Sequence, residues 1–322
     1  MDIIKELKKH KVLGRSGSCF PAYLKWQQVK NTKADKKYII CNGSEGELKN
    51  FKDKYVLKNY PEYVVEGIKQ ALKAIPNSTA FIYLRKDYYT KFKRRLKKHT
   101  KGFPISLVKK RGGYLGGEET VICEVLEGKR PEPRIKPPYP SYYGLLGFPT
   151  LVNNVETFYV AGKIAKKEYK GERFYAVTGD VKNEGVFKFD SCSTVEKILK
   201  ETNNYPDFDF FVQSGGGAMG EILLPGELNK QVDGIGCIVV YNKKIDPFKL
   251  MKEWTTFFLE GNCDKCTPCR EGMYRIDEMV NKKKLDKKAL DDIYFVLEKT
   301  SFCPLGRNAY RPFKTLIKKV IK

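Results

Sequence analysis

KYIICNGSEGE, residues 37–47, decides the fold because it joins a short apolar strand to a polar loop that contains glycine. The strand is predicted over residues 37–41. It is followed by YPEYVVEGIKQALKAI, residues 60–75, in which Pro61 suits the first turn of a helix. One face of that helix is apolar and carries Val64, Val65, Ile68, Leu72 and Ile75. The pattern therefore indicates a strand that leads through a loop into an amphipathic helix.

The same alternation continues along the chain. TAFIYL, residues 79–84, predicts a second strand, KDYYTKFKRRLKKH, residues 86–99, a second helix, and FPISLV, residues 103–108, a third strand. Strands that alternate with helices are typical of a parallel α/β layer. We expect this layer to occupy roughly residues 30–170.

The remainder of the chain has a different pattern. RFYAVTGDVKNEGVFKFD, residues 173–190, predicts a hairpin, and STVEKILKET a short helix with Ser193 or Thr194 as its cap. Two further strands, in DFDFFVQSGGG and GCIVVYNKK, complete a β-grasp-like module. From Pro247 onward the sequence predicts a small helical bundle.

Composition limits the classes of protein that the chain can belong to. It has 322 residues, of which 41% are hydrophobic, and this is enough for two or three domains. It contains no run of 18 uncharged apolar residues and no signal sequence, so we expect a cytoplasmic protein. The net charge is +23, but the basic run at residues 91–101 has no nucleic-acid-binding motif beside it and fits a solvated helix better.

Four of the nine cysteines are organised. GNCDKCTPCREG gives C-x2-C-x2-C at Cys263, Cys266 and Cys269, and Cys303 follows in TSFCPLG. Three thiolates at this spacing can bind three irons of one cubane, with a distant cysteine closing the fourth corner. A structural zinc site is the alternative, but four-cysteine zinc sites are usually built from two separate C-x2-C pairs. The spacing therefore favours a [4Fe–4S] cluster.

Two glycine-rich stretches require different interpretations. Gly215, Gly217 and Gly220 match G-x-G-x-x-G, but Pro225 falls where a dinucleotide-binding helix would continue, which argues against a Rossmann loop there. The long stretch over residues 111–158 combines glycines with aromatic, acidic and basic side chains. Its NNVETF segment predicts a helix start where Asn153, Asn154 and Thr157 could bind a phosphate. An ordinary long surface loop is the alternative.

Together these segments resemble the NADH-oxidising flavoprotein subunit of respiratory complex I, the NADH-quinone oxidoreductase-F family, and its relatives in NAD-linked hydrogenases and formate dehydrogenases. GRSGSCFPAYLKW is similar to that family's GRGGAGFPTGLKW, and CNGSEGELKNFKD to CNADESEPGTFKD. YLGGEETVICEVLEGKRPEPRIKPPYP, TLVNNVET and the cysteine segments also match in order. The resemblance covers nearly the whole chain.

The resemblance implies three domains and a set of cofactors. They are a Rossmann-like FMN- and NADH-binding α/β domain at residues 1–170, a β-grasp domain of the SLBB type at 171–244, and a helical [4Fe–4S] domain at 245–322. Its implied FMN site consists of Gly14, Arg15, Gly17, Lys25, Asn42, Gly117, Glu118, Asn153, Asn154 and Thr157. Its implied NADH site consists of Phe20, Glu47, Tyr114, Glu119, Lys136 and Tyr139. Glu119 is the candidate catalytic residue, and the four organised cysteines are the cluster ligands.

The implied activity is hydride transfer from NADH to FMN, followed by transfer of single electrons to the cluster within a larger redox complex. Implied partners are a thioredoxin-like [2Fe–2S] subunit and further electron-transfer subunits, at the inner face of the cell membrane. A non-catalytic iron–sulfur relay or scaffold with a decayed nicotinamide site is the alternative. A basic zinc protein that binds nucleic acid is a third hypothesis, supported only by charge and thiols.

Several positions depart from the family pattern. Ser16 and Cys19 stand where the pattern has glycine, and Leu48 and Lys49 replace Pro-Gly. Ser44 stands where the family has an aspartate that contacts the flavin. Gln28 lies where many relatives have an aromatic side chain that stacks on adenine. These differences leave NADH, NADPH or neither open as the electron donor.

Overall fold

The computed structural model describes residues 1–321 and contains two β-sheets surrounded by helices. The strands are β1 (Lys37–Gly43), β2 (Ser78–Leu84), β3 (Ile105–Lys109), β4 (Thr150–Asn154), β5 (Glu172–Gly179), β6 (Gly185–Asp190), β7 (Phe210–Ser214), β8 (Glu221–Leu223) and β9 (Cys237–Asn242). The α-helices are α1 (Ile3–Lys9), α2 (Ala22–Asn31), α3 (Lys52–Asn59), α4 (Pro61–Ala74), α5 (Lys86–Thr100), α6 (Glu119–Leu126), α7 (Val155–Ala165), α8 (Val195–Glu201), α9 (Pro247–Glu260), α10 (Thr267–Asn281), α11 (Lys287–Thr300), α12 (Pro304–Asn308) and α13 (Arg311–Lys319).

The first sheet is parallel throughout, in the order β3-β2-β1-β4. The central strand β1 is buried at every residue from Lys37 to Cys41, as expected for a strand covered on both faces. The three strands and two helices predicted for this layer are confirmed. The alternative interpretation of residues 111–158, as an ordinary long surface loop, is wrong in part, because the segment contains α6 and β4.

The order of this sheet creates a crevice. The chain leaves β1 on one side to form β2 and β3 and then returns to the other side of β1 as β4. In an open α/β sheet such a switch point, at the carboxyl ends of the strands, is where ligands bind. Asn42 near the end of β1 pairs in register with Asn154 at the end of β4. Asn154 also caps α7 through Glu156 N, so the predicted helix start is confirmed.

Helices α4 and α7 pack with their backbones in direct contact. A Cβ added at Gly67 would overlap the carbonyl group of Phe158, and one added at Gly162 would overlap the carbonyl group of Tyr63. Both glycines lie inside helices, where glycine is unfavourable by about 1 kcal/mol relative to alanine. Close packing of the helices therefore explains why glycine is present at both positions.

The second sheet has the order β6-β5-β9-β7-β8, with β5 and β9 parallel and the other neighbours antiparallel. Thr194 caps α8 by accepting a hydrogen bond from Lys197 N. Of the two predicted caps, Ser193 and Thr194, the second is therefore the correct one. The G-x-G-x-x-G segment connects β7 to β8, with no helix following it. The sequence argument against a Rossmann loop at this point is thus confirmed.

The C-terminal helices pack against the second sheet. The indole of Trp254, fully buried in α9, donates a hydrogen bond to Gly217 O at 3.0 Å. Thr315 Oγ1, in α13, accepts a hydrogen bond from Ile222 N at 3.0 Å. The predicted helical region after Pro247 is confirmed. None of the helices within residues 1–321 is both long and apolar enough to cross a membrane.

We predict that Gly67→Ala and Gly162→Ala each lower the free energy of unfolding by about 3 kcal/mol, because the added methyl group must push α4 and α7 apart. Gly226→Ala is the control, since a Cβ there would have open space. Urea unfolding of the three variants checks this. A cost at Gly67 no larger than the cost at Gly226 would contradict the close packing of the two helices.

Candidate active site

A cavity of about 710 Å³ lies at the carboxyl ends of β1 and β4. Its volume is within the range of known cofactor sites, about 300 to 1,000 Å³. Segments that are distant in the sequence contribute to its wall. Lys25 belongs to α2, Ile235 to the loop before β9, and Leu305 to α12. The cavity therefore exists only when these segments are packed together.

Most of the predicted site residues lie together on this wall. They are Arg15, Gly17, Phe20, Lys25, Asn42, Glu47, Tyr114, Gly117, Glu118, Glu119, Lys136, Tyr139, Asn153 and Asn154. The two exceptions, Gly14 and Thr157, lie behind the wall. Gly14 N donates to Phe20 O at 2.9 Å, and Thr157 Oγ1 accepts from Arg15 N at 3.1 Å. These two residues hold the loop at residues 14–20 in place.

Two lysines and two glutamates form a connected ion network on the wall. Lys25 Nζ lies 2.9 Å from Glu119 Oε2, and Lys136 Nζ lies 3.1 Å from Glu119 Oε1 and 2.9 Å from Glu118 Oε1. Burial raises the pKa of Glu119, but the attraction of Lys25 and Lys136 outweighs it, so the pKa lies below its usual value. Glu119 is therefore a carboxylate at neutral pH, which accepts hydrogen bonds and has no proton to donate.

Asn42 organises the neighbouring loop. Its amide nitrogen donates to Gly117 O at 2.8 Å, and its oxygen accepts from Ser44 N at 3.1 Å and Ser44 Oγ at 2.5 Å. A Cβ added at Gly117 would overlap the hydroxyl of Ser44. The serine that replaces the aspartate of the family pattern is thus hydrogen-bonded within the wall.

Glu47 is buried between the loop after β1 and the loop after β7. Tyr114 OH donates to Glu47 Oε2 at 2.6 Å, and Ala218 N and Met219 N donate to Oε1 at 2.8 and 3.1 Å. A Cβ at Gly216 would approach Oε1 to 2.8 Å. The glycine-rich segment after β7, which resembled a dinucleotide loop, therefore surrounds a carboxylate of this chain. The sequence alone did not indicate this role.

Several buried polar atoms on the cavity wall have no partner within residues 1–321. They are Arg15 Nε, Asn50 Oδ1, Asp53 Oδ1 and Ser214 Oγ. Buried polar groups almost always have a hydrogen-bond partner, so these atoms fit a ligand that carries hydroxyl or amide groups. The sequence singled out Arg15 but not Asn50, Asp53 or Ser214, although Asp53 belongs to the FKD segment that matched the family pattern.

Among the nine non-glycine residues within residues 1–321 that adopt the left-handed backbone conformation, two stand in the flavin loops. Cys19 has φ of 48° and Lys49 has φ of 59°. Both stand where the family pattern has glycine. The side chains have therefore changed at positions whose backbone still has a glycine-like conformation.

The four organised cysteines lie near one another beside the cavity. Cys266 stands at the N-cap position of α10 and Cys303 at that of α12, while Cys269 lies in the first turn of α10. Burial, together with the neighbouring thiols of Cys303, Cys266 and Cys263, raises the pKa of the Cys269 thiol to about 12. Buried thiols at two helix starts are the donor set that an iron–sulfur cluster requires.

These thiols do not converge on a single point. Within residues 1–321, no three His, Cys, Asp or Glu side chains are grouped closely enough to bind one metal ion. A cubane places each thiolate on a different iron, so its ligands surround a volume instead of one ion. The residues that follow Cys303, Pro304 and Leu305, lie on the cavity wall, so the cysteine group adjoins the cavity.

Two protein-family models match the chain. The model described as the Nuo51 FMN-binding domain matches residues 7–162, and the one described as the NADH-ubiquinone oxidoreductase-F iron-sulfur binding region matches residues 249–320. FMN and a [4Fe–4S] cluster, the cofactors predicted from the sequence, are thereby confirmed. The first model covers the ion network of the cavity wall, and the second covers the cysteine group.

Curated relatives extend over nearly all of the chain. The F-type subunit of NADH-quinone oxidoreductase from Aquifex aeolicus is 30% identical, with 99% of this chain and 84% of that protein covered. The alpha subunit of the NAD-reducing hydrogenase HoxS from Cupriavidus necator is 29% identical, and the chain spans 59% of its length. A crystal structure of NAD+-reducing [NiFe]-hydrogenase in the H2-reduced state matches with a TM-score of 0.90 at 27% identity, over 98% of this chain and 61% of that one.

We predict that Glu47→Gln makes stability less dependent on pH. Burial raises the pKa of Glu47, and hydrogen bonds from Tyr114, Ala218 and Met219 offset this only in part. The folded chain therefore keeps a proton at pH values where the unfolded chain, with a pKa of about 4.3, has lost it. In that window, above about pH 4.3, the stability of the wild type falls as pH rises.

Urea unfolding from pH 4.5 to 8 measures this effect. The free energy of unfolding of Glu47→Gln minus that of the wild type should rise with pH and then level off. Glu201→Gln, at an exposed side chain, is the control and should give no such rise. A difference for Glu47→Gln that stays flat across the range would show that this carboxyl titrates normally.

Proposed function

The chain belongs to the NADH-quinone oxidoreductase-F family, and from this premise we propose that it oxidises NADH by hydride transfer to FMN. In this reaction NADH loses two electrons and one proton as a hydride and becomes NAD+. Cys263, Cys266, Cys269 and Cys303 would hold the cluster, which would supply one-electron transport toward a partner redox subunit. The observation that carries the proposal is the cavity whose wall combines the predicted flavin and nicotinamide residues and adjoins the four cysteines.

The residues of the cavity suit a flavin. Bound FMN supplies hydride acceptance and release of single electrons, and the cluster supplies one-electron transport. Asn42, Gly117 and the loop at residues 14–20 would line the flavin side. The unpartnered atoms of Asn50, Asp53 and Ser214 offer hydrogen bonds to hydroxyl groups of its side chain. Gly14 and Thr157 would act indirectly, by holding Arg15 and Phe20.

The ion network of Lys25, Glu118, Glu119 and Lys136 suits the nicotinamide end of the substrate. Glu119 is held between two ammonium groups, which keeps its carboxylate charged and fixed in orientation. A fixed carboxylate can accept hydrogen bonds from an amide or hydroxyl of the substrate. We therefore assign Glu119 an orienting contact with the substrate. Hydride transfer needs no proton from this group.

Glu47 would contact the substrate only after a rearrangement. Its carboxylate already accepts three hydrogen bonds from Tyr114, Ala218 and Met219. We propose that its first role is to join the flavin part to the second sheet. Phe20 and Tyr139, which are half-exposed at the cavity, are available for contact with a nucleotide.

We also propose the three-part division at residues 1–170, 171–244 and 245–322. The strand order of the second sheet, with a hairpin, a helix and a parallel pair of strands in its middle, supports a β-grasp unit of the SLBB type. The helices from Pro247 onward support a C-terminal bundle that holds the cluster.

The chain would work as one subunit of a larger complex. The relatives named above are subunits, of a quinone oxidoreductase and of a hydrogenase. A thioredoxin-like [2Fe–2S] subunit is the partner that we propose as electron acceptor, with the assembly at the inner face of the membrane. The net charge of +23 favours association with acidic partners.

Anaerobic purification followed by addition of NADH tests the proposal. We expect about one FMN and about four irons per chain, and flavin absorbance that bleaches with NADH. NADPH is the comparison substrate. Bound flavin that responds to neither nucleotide would contradict NADH oxidation. Iron and sulfide without FMN would instead support the relay alternative.

We predict that Lys136→Met lowers kcat/KM for NADH by about tenfold to a hundredfold while FMN content is unchanged. The variant leaves Glu119 with one lysine, Lys25, and Glu118 with none. Misplacing a group that orients the substrate costs up to about a hundredfold. Lys129→Met is the matched control, because Lys129 pairs with Glu127 outside the cavity wall. Equal effects of the two substitutions would contradict a role for Lys136 at the substrate.

A further inference from the structure

Lys110 is a lysine that the proposed reaction does not use, although it contacts the cavity wall. It follows β3, and its side chain lies behind the wall instead of lining it. Lys110 Nζ donates hydrogen bonds to Ser44 O at 3.1 Å and to Tyr114 O at 3.5 Å. Ser44 and Tyr114 both line the cavity, and they belong to segments that are far apart in the sequence. Lys110 therefore joins two segments of the wall from behind.

The backbone and two glycines determine where this side chain lies. Lys110 N donates to Leu84 O at 2.7 Å, which continues the pairing of β2 with β3 by one residue. A Cβ added at Gly116 would approach Lys110 Cε to 3.0 Å, and one added at Gly46 would approach Lys110 Nζ to 3.7 Å. The absence of a side chain at Gly116 therefore leaves the space through which the lysine reaches the Ser44 carbonyl.

The segment that contains Ser44 is held from two sides. Asn42 Oδ1 accepts hydrogen bonds from Ser44 N and Ser44 Oγ, and the carbonyl oxygen of Ser44 accepts one from Lys110. This carbonyl is directed away from the cavity, since Lys110 lies behind the wall. Loss of the Lys110 contact would leave one side of the segment unsupported, and the wall beside the flavin would be less firmly fixed.

The ammonium of Lys110 has no carboxylate as a partner. Within residues 1–321, both of its acceptors are backbone carbonyls. Glu45 and Glu47 lie on the same loop after β1, but their carboxylates are used elsewhere. Glu45 accepts a hydrogen bond from Tyr88 OH at 2.7 Å, and Glu47 accepts one from Tyr114 OH at 2.6 Å. The ammonium is therefore a mostly buried positive charge that no ion pair compensates.

The charge of Lys110 is lost at mildly alkaline pH. Burial and the positive charge of Arg85 lower the pKa of Lys110 to about 8. Hydrogen bonds with Asp87 raise the pKa of Arg85, which stays charged. Burial raises the pKa of Tyr83 to about 12 and raises that of Tyr114, so neither phenol ionises near pH 8. The other ionisable side chains on the segments around Lys110 are Glu45, Glu47, Lys109 and Arg111.

We propose that Lys110 is a positioning residue for the flavin: its ammonium holds the segments of Ser44 and Tyr114 together, and its charge favours the reduced form of the flavin. The inference rests on the proposed function, which places FMN in this cavity. A hydride brings two electrons and one proton, so its acceptor gains one negative charge. A cation that is fixed near that charge, in a mostly buried position, stabilises it. Lys110 keeps its own proton during the reaction.

Redox titration of the bound flavin at an electrode, in the cluster-loaded protein from pH 6.5 to 9.5, tests the proposal. At pH 7 the flavin of Lys110→Met should have a lower midpoint potential than that of the wild type, equivalent to an about tenfold loss of affinity for reduced relative to oxidised FMN. This is the size expected for two unit charges about 10 Å apart at an effective dielectric constant of about 20. The two potentials should converge above about pH 9, where Lys110 of the wild type is itself mostly neutral. Equal potentials at pH 7 would overturn the proposal.

Three further variants assign the effect to Lys110. Lys109→Met is the matched control, because Lys109 is exposed on the same strand, and its flavin should have the potential of the wild type at every pH. Lys110→Gln keeps a hydrogen-bond donor without the charge, so it should have the low potential of Lys110→Met but release FMN more slowly on dilution. Glu47→Gln should keep the extra fall in potential near pH 8. Loss of that fall in Glu47→Gln would assign the titration to Glu47 and overturn the role of Lys110.

The hydrogen bonds and the charge are tested separately. FMN release from Lys110→Met that is as slow as from the wild type would contradict the joining of the two segments. If Lys110→Met binds no FMN at all, the comparison of the wild type with Lys110→Gln measures the effect of the charge in its place. Equal potentials of those two proteins at pH 7 would then overturn the proposal.

The electrode distinguishes failure of this inference from failure of the proposed function, because it reduces the flavin without NADH. A wild-type flavin that NADH does not reduce, but whose potential depends on Lys110, overturns NADH oxidation and retains the role of Lys110. A flavin that NADH reduces, with equal potentials in the wild type, Lys110→Met and Lys110→Gln, retains the function and overturns the role of Lys110.

Discussion

The buried ion pair of Lys52 and Glu156 is the contact on which the cavity depends. The two charged groups lie 2.6 Å apart with almost no exposure. Lys52 Nζ also donates to Ile235 O at 2.6 Å, and Glu156 Oε1 accepts from Phe174 N at 2.9 Å. Burying two charges costs several kcal/mol each, so such a pair persists only when its geometry and its other hydrogen bonds are good. The pair therefore fixes the first sheet against the second in one arrangement.

This arrangement explains why binding and electron transfer share one structural unit. The ion pair sets the position of the loop before β9, and Glu47 inserts its carboxylate into the loop after β7. Tyr114, which donates to Glu47, packs edge-on against Phe257 of α9 with ring centroids 4.7 Å apart. A continuous series of contacts thus connects the flavin loops, the second sheet and the helices that carry the cysteines. Small movements in any one part would alter the cavity.

Local signals predicted much of this, and tertiary contacts produced the rest. Hydrophobic periodicity predicted β1, α4 and the C-terminal helices, because burial imposes that periodicity directly. The cysteine spacing predicted the cluster because three of its four ligands, Cys263, Cys266 and Cys269, lie close together in the sequence. Helix α6 and strand β4 were missed because glycine and proline surround them. The role of the loop around Gly216 could not be predicted, since it depends on Glu47, which lies far away in the sequence.

The departures from the family pattern change charge more than backbone shape. Cys19 and Lys49 have a left-handed backbone where the pattern has glycine. The backbone of both loops therefore keeps a conformation that glycine adopts easily. Ser44 removes a carboxylate that the pattern places beside the flavin. Glu47 and Glu119 are already occupied by hydrogen bonds or lysines. The wall therefore has one carboxylate fewer beside the flavin than the family pattern, which lowers the electrostatic cost of admitting a dinucleotide whose pyrophosphate is itself negative.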